Sequence, residues 1–224
     1  MLSQGNLHPP KINSLKILTS ILGPLQTNVY SIFSNNNLLI IDPAGIPPFL
    51  QNSNCQKIKA NFFITHAHYD HVDGIPKLIS LYPNSKIFIS PKDIDLLLEI
   101  PSIKIIKNDI EARLHFVYEN DHIFVNPSQK SLRDQLNVIN LSGHTKGSLG
   151  LYCPSKKCVF VGDALFKKSI GSVSQKGILF QMVDKILKNI MTLPKDTIIY
   201  PGHGPSTTIG DEMLYNPFIH HLFI

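Results

Sequence analysis

The spacing of apolar residues along this 224-residue chain changes several times, and each change marks an element. Apolar, β-branched runs at 15–22 and 29–33 are separated by Gly23-Pro24, and a third at 38–41 follows the polar turn Asn35-Asn36-Asn37, which predicts an opening antiparallel meander. Asp42-Pro43-Ala44-Gly45 closes it. The nearly continuous apolar run at 59–65 reads as a strand buried on both faces. Val72, Ile75, Leu78, Ile79 and Leu81 recur at three- and four-residue intervals and predict a helix that stops before Pro83.

A short strand at 86–90 is then expected, with Pro91 opening a second helix through Leu98. Between 101 and 129 only 122–125 reads as a strand. Strands follow at 136–141, 149–153 and 158–161, then an amphipathic helix at 178–191 and a last strand at 198–200. Thr208, with Asp211 three residues on, fits a capping box that starts a terminal helix interrupted at Pro217. No internal repeat, low-complexity block or domain-marking linker interrupts this order, so residues 1–224 read as one layered α/β domain.

Composition narrows the function classes. The chain is 43% hydrophobic and 17% charged, the balance of a compact globular domain. Its net charge of +5 suits anionic substrates, yet the basic residues are scattered, their longest runs are pairs such as Lys156-Lys157 and Lys167-Lys168, and Trp is absent; nucleic acid is not the expected partner. Neither a signal-peptide pattern nor an uninterrupted apolar run of about 18 residues occurs, so no membrane association is expected. Three cysteines, an odd number in a chain of this length, point to a reducing, cytoplasmic setting. Cys153 and Cys158 flank the turn Pro154-Ser155-Lys156-Lys157 and read as core thiols placed to face each other.

The ten histidines carry the chemistry. Directly after the doubly buried strand comes Thr65-His66-Ala67-His68-Tyr69-Asp70-His71, with four metal-binding groups on one strand-to-helix loop. Ser142-Gly143-His144-Thr145, Gly162-Asp163 and Pro201-Gly202-His203-Gly204 follow, each at a predicted strand end, where loops of an α/β sandwich gather on one edge and glycines permit close backbone approach. Five histidines and two aspartates suit two borderline divalent cations, with a position left open for water. Structural zinc sites are usually closed and Cys-rich, so this pattern reads as catalytic. His115, His122, His220 and His221 have no partner motif and read as surface or packing residues.

These motifs resemble those of the metallo-β-lactamase-fold hydrolase superfamily, whose signature is HxHxDH followed by spaced His, Asp and His. Asn28, Tyr30 and the segment from Asp42 to Gly45 look like its opening strands, and Gly143-His144-Thr145-Lys146-Gly147-Ser148 looks like its GHTxGS element. The resemblance implies a four-layer αββα sandwich. It is nearest to the short glyoxalase II-like (hydroxyacylglutathione hydrolase-like) proteins, which implies that His66, His68 and His144 hold one metal, that Asp70, His71 and His203 hold a second, and that Asp163 bridges them. The implied cofactors are two divalent ions, zinc first, with iron or manganese as alternatives.

The implied activity is thioesterase hydrolysis of a small-molecule acyl thioester. A bridging water made acidic by two cations would supply hydroxide, with Asp70 orienting it and accepting its proton. Alternatives within the superfamily are a mono-iron persulfide dioxygenase, using His66, His144 and Asp163, and a lactonase or β-lactamase-like hydrolase. The chain departs from the family in two places. Gly171-Ser172-Val173-Ser174 stands where a Gly-Arg-x-Asp stretch is common, and residues 204–224 leave no room for the helical domain that grips glutathione. Lys146, Lys167 and Lys168 flank ligand elements and read either as attractors of an anionic substrate or as solvated surface lysines.

Overall fold

The computed structural model describes residues 15–51, 57–128, 130–173 and 176–220. Two six-stranded sheets pack face to face between helices. The first contains β1 (Lys16–Leu22), β2 (Thr27–Ser34), β3 (Asn37–Ile41), β4 (Lys59–Phe63), β5 (Ile87–Ile89) and β6 (Leu114–Phe116) in chain order. The second contains β7 (His122–Phe124), β8 (Gln135–Asn140), β9 (Leu149–Cys153), β10 (Cys158–Gly162), β13 (Ile198–Pro201) and β14 (Thr207–Thr208), and a small hairpin pairs β11 (Leu165–Phe166) with β12 (Ser169–Ile170). The α-helices among the described residues are α1 (Pro48–Gln51), α2 (Tyr69–Val72), α3 (Ile75–Leu81), α4 (Ile94–Leu98), α5 (Pro101–Lys104), α6 (Lys107–Glu111), α7 (Lys176–Asn189) and α8 (Ile209–Tyr215).

Strand alternation sorts the core into layers. In β3, Leu38 and Ile40 join Val72, Ile75 and Leu78 beneath the helices of the first sheet, while Leu39 and Ile41 meet Leu136, Leu151 and Phe160 between the sheets. Successive residues Phe62 and Phe63 of β4 point into these two different layers, as a strand buried on both faces requires. On the far side, Val159, Val161 and Ile199 pack against Met182 and Ile186 of α7 and Ile209 of α8. The result is the expected αββα sandwich.

Strand direction places the chemistry. β3 and β4 are parallel, so Asp42 and the loop starting at Thr65 emerge at one edge of the first sheet. In the second sheet β8 and β10 are each antiparallel to β9, and β13 is parallel to β10; the C-terminal ends of β8, β10 and β13 therefore share an edge. Backbone bonds from Leu149 N to Thr65 O (2.8 Å) and from Asn28 N to Gly202 O (2.7 Å) join the two edges.

Several expectations need correction. The single helix expected across 72–81 is two pieces, because Gly74 N donates to Pro43 O (2.9 Å) and draws the chain against the 43–45 turn, breaking the helical ladder. The helix opened by Pro91 begins as a 3₁₀ turn, Pro91–Asp93, before α4. The strand at 198–200 is not the last, since β14 pairs antiparallel with β13. β6, β11 and β12 have no counterpart among the expected strands. Cys153 and Cys158 are direct cross-strand partners, buried and free; Cys55, His8 and His221 lie outside the described residues. At α8 the Thr208 hydroxyl accepts from Asp211 N (3.1 Å). Thr208→Ala is expected to lower stability by about 1 kcal/mol in chemical denaturation, and no change would remove this cap from the account.

Candidate metal centre

The five histidines and two aspartates singled out above all reach one edge of the sandwich. His66, His68, Asp70 and His71 come from the β4–α2 loop and α2, His144 from the β8–β9 loop, Asp163 from the end of β10, and His203 from the end of β13. His66 Nε2 lies 3.1 Å from His68 Nδ1, which lies 2.9 Å from His144 Nε2. Beside this group His71 Nε2 and His203 Nε2 are 3.2 Å apart, and Asp70 Oδ2 is 3.2 Å from His203 Nε2 and 3.5 Å from His71 Nε2. Asp163 stands between the two groups, with Oδ1 3.4 Å from His71 Nε2 and Oδ2 3.6 Å from His203 Nε2 and 3.7 Å from His144 Nε2.

The outward nitrogens are already committed. His71 Nδ1 donates to Asp42 Oδ2 (3.0 Å), His144 Nδ1 to Ser172 O (2.9 Å) and His203 Nδ1 to Leu25 O (3.0 Å). The Thr65 hydroxyl gives its proton to Asp42 Oδ2 (2.7 Å), so it accepts from His66 Nδ1 (3.1 Å). With the protons of His66 and His144 on the outside, their Nε2 atoms both aim lone pairs at His68 Nδ1, where one N–H cannot serve both well and a divalent cation can accept from all three. Asp163 Oδ1 is buried without a hydrogen-bond partner. This donor set fits a binuclear divalent metal site.

Protonation follows the same geometry. Burial and then the neighbouring imidazoles hold His66 well below the ordinary histidine value, and burial and then His144 lower His68. Burial also opposes charge on His71, but Asp42 and Asp163 outweigh it and hold that ring near 10. Burial opposes ionisation of Asp70, yet its hydrogen bond with His203 and the charge of His71 bring it to about 2. His203 is raised by that same contact with Asp70. A cation binding at His71 takes the place of a proton held between carboxylates.

Polar residues outside these seven hold the arrangement. Asp42, at φ 52°, accepts from Thr65 N (2.8 Å), the Thr65 hydroxyl and His71. Thr27 donates its hydroxyl to Asp70 Oδ2 (3.1 Å), and Tyr30 and Asn28, noted above only for their likeness to the family, anchor Pro201 O at 2.6 and 3.0 Å. The place of Asp42 was legible in principle, because it ends an apolar strand parallel to the one leading into His66. Lys185 of α7 reaches the Ser142 hydroxyl, two residues before His144. Gly171-Ser172, where the Gly-Arg-x-Asp stretch is missing, supports His144 through a carbonyl, a contact that needs no particular side chain. The rim carries Tyr69 and Leu25, each about half exposed, with the Phe166 ring 6.2 Å from that of His203. Lys146, Lys167 and Lys168 are exposed, and Lys168 lies over the Tyr215 ring.

Comparison with known proteins agrees with this geometry. The Metallo-beta-lactamase superfamily model matches residues 62–203. A probable metallo-hydrolase of Bacillus subtilis (strain 168) is 25% identical over 214 residues, which are 88% of this chain and 94% of the relative. The hydroxyacylglutathione hydrolase GloC of Haemophilus influenzae is 30% identical over 195 residues, covering 82% of this chain and 87% of that protein. Among solved structures, TTHA1623 in a di-iron-bound form aligns at a TM-score of 0.73 and 27% identity, over 90% of this chain and 100% of that one.

Proposed function

The chain belongs to the metallo-beta-lactamase superfamily, and from that premise we propose that it is a thioester hydrolase of the glyoxalase II-like type. The observation that carries the reading is the position of Asp163 between a three-histidine group and an Asp-His-His group, which suits a pair of cations sharing one carboxylate. His66, His68 and His144 would hold one ion, Asp70, His71 and His203 the other, and Asp163 both. The 30% identity to a hydroxyacylglutathione hydrolase over most of both chains supports the thioester class.

When bound, two divalent ions supply an activated water, polarise the scissile carbonyl and provide a soft acceptor for a departing thiolate. The chain's own residues do the rest. Asp70, fixed by Thr27, orients the water and accepts one of its protons as the new carbon–oxygen bond forms. The carbon–sulfur bond then breaks and the thiolate leaves with that proton, so one water is consumed for one acid and one thiol. Tyr69, Leu25 and Phe166 give the acyl group an apolar rim that limits competing water.

The test is elemental analysis of protein purified without added metal, joined to a panel of thioester, lactone, β-lactam and persulfide substrates. Two ions per chain with thioester cleavage is the expected result. One iron with sulfur-dependent oxygen uptake, or lactone or β-lactam cleavage without thioester cleavage, overturns it. The di-iron neighbour favours iron as a second occupant beside zinc, and the same elemental measurement decides between them.

A further inference from the structure

Asp93 belongs to neither metal motif. It ends the 3₁₀ turn Pro91–Asp93 after β5 and is 2% exposed. Burying a carboxylate is costly unless hydrogen bonds compensate, and here three donors do so. Oδ2 accepts from Ala67 N (3.1 Å) and the Thr145 hydroxyl (2.7 Å), and Oδ1 accepts from Gly147 N (2.7 Å). Because the Thr145 proton goes to Asp93, the Ser148 hydroxyl donates to Thr145 Oγ1 (2.8 Å) and extends the network along the same loop. The approach requires glycine at 147, where a Cβ would lie 2.6 Å from Asp93 Cγ.

The partners decide what this carboxylate does. Ala67 lies between His66 and His68, and Thr145 directly follows His144. One side chain thus ties together the two loops that supply the three-histidine group, loops that are 76 residues apart between His68 and His144. Beyond the Asp163 carboxylate shared by both groups, the other group has Asp70, and the three-histidine group has instead a buried carboxylate bonded to the two loops that carry its rings. A residue serving packing alone would need neither the charge nor three donors aimed at it.

We infer that Asp93 is a positioning residue for the metal site formed by His66, His68 and His144, setting the separation of their two loops. The inference rests on the metal assignment proposed above and goes beyond it. An amide at 93 would turn its nitrogen toward either Gly147 N–H or the Ala67 and Thr145 donors. Asp93→Asn is therefore expected to weaken Zn²⁺ binding at the three-histidine site about 10–100-fold, leave the other site filled, and change the visible spectrum of the Co²⁺-substituted protein at one ion only.

Thr145→Val should shift Zn²⁺ affinity in the same direction and Thr145→Ser should restore it, which keeps the test decisive if Asp93→Asn fails to fold. Ile186→Val, a change in the outer core, should lower the melting temperature by about 2–4 °C and leave Zn²⁺ affinity and the Co²⁺ spectrum unmoved. Wild-type Zn²⁺ affinity in Asp93→Asn or Thr145→Val, or an equal loss in Ile186→Val, overturns the inference. Because the readout is metal binding, these outcomes are separate from the thioester reading, which fails if wild-type protein holding two ions cleaves no thioester.

Discussion

Asp163→Asn is expected to lower kcat/KM for thioester cleavage by about 10³-fold, equivalent to about 4 kcal/mol of transition-state stabilisation. The substitution keeps size and shape, and removes one negative charge at the point where three ring nitrogens from different elements converge within 3.4 to 3.7 Å. An amide also puts an NH2 group, which cannot ligate, where one of the two carboxylate oxygens stands. The fold should tolerate the change, because Asp163 Oδ1 has no hydrogen-bond partner to lose and the carboxylate is not what holds β10 against β13. Metal content should therefore fall from two ions toward one while far-ultraviolet circular dichroism stays that of the wild type. Undiminished kcat/KM with two ions retained would remove Asp163 from the role proposed for it.

That role depends on geometry the sequence disclosed only in part. The HxHxDH run was legible because four donors within six positions leave little else for them to do, and the later His, Asp and His because each follows an apolar run that had to be a strand. Their meeting at one edge follows from strand direction, which the alternation of apolar runs implies but does not prove. Of the short elements, β5 and β7 stand out as β-branched and aromatic runs, whereas β6, Leu-His-Phe, and β14, two threonines, are too short to display a period and too polar to display a run. The helix break at Asp73-Gly74 combines a local signal, Gly74 with Pro76 two residues on, and a non-local one, the bond from Gly74 N to Pro43 O thirty-one residues upstream. The supporting roles of Thr65 and Asp93 have no such local signal. Each is one polar residue among many in the sequence, and only tertiary contact shows that it fixes a histidine or the loop that carries it.

Gly202→Ala tests how closely this edge is packed, and it should act through volume alone. Gly202 lies one residue before His203, and a Cβ there would overlap Asp163 Oδ1 and come 2.7 Å from His71 Cε1. The backbone has little freedom to retreat: Gly202 N donates to Gly162 O (2.8 Å), Asn28 N donates to Gly202 O (2.7 Å), and the Tyr30 hydroxyl holds the preceding carbonyl. His71 is held from behind by Asp42, so the carboxylate of Asp163 must move. Overpacking of this kind costs about 1–3 kcal/mol of stability, and displacing a reacting group by about 1 Å costs about 10²-fold in rate. The expected result is a folded protein with kcat/KM reduced about 10²-fold and weakened metal binding. Gly177→Ala on α7, where nothing lies within 4 Å of the added carbon, should leave both unchanged. If Gly202→Ala retains wild-type activity and metal content, the site has more room than this geometry allows, and Asp163 is not confined between the two histidine groups.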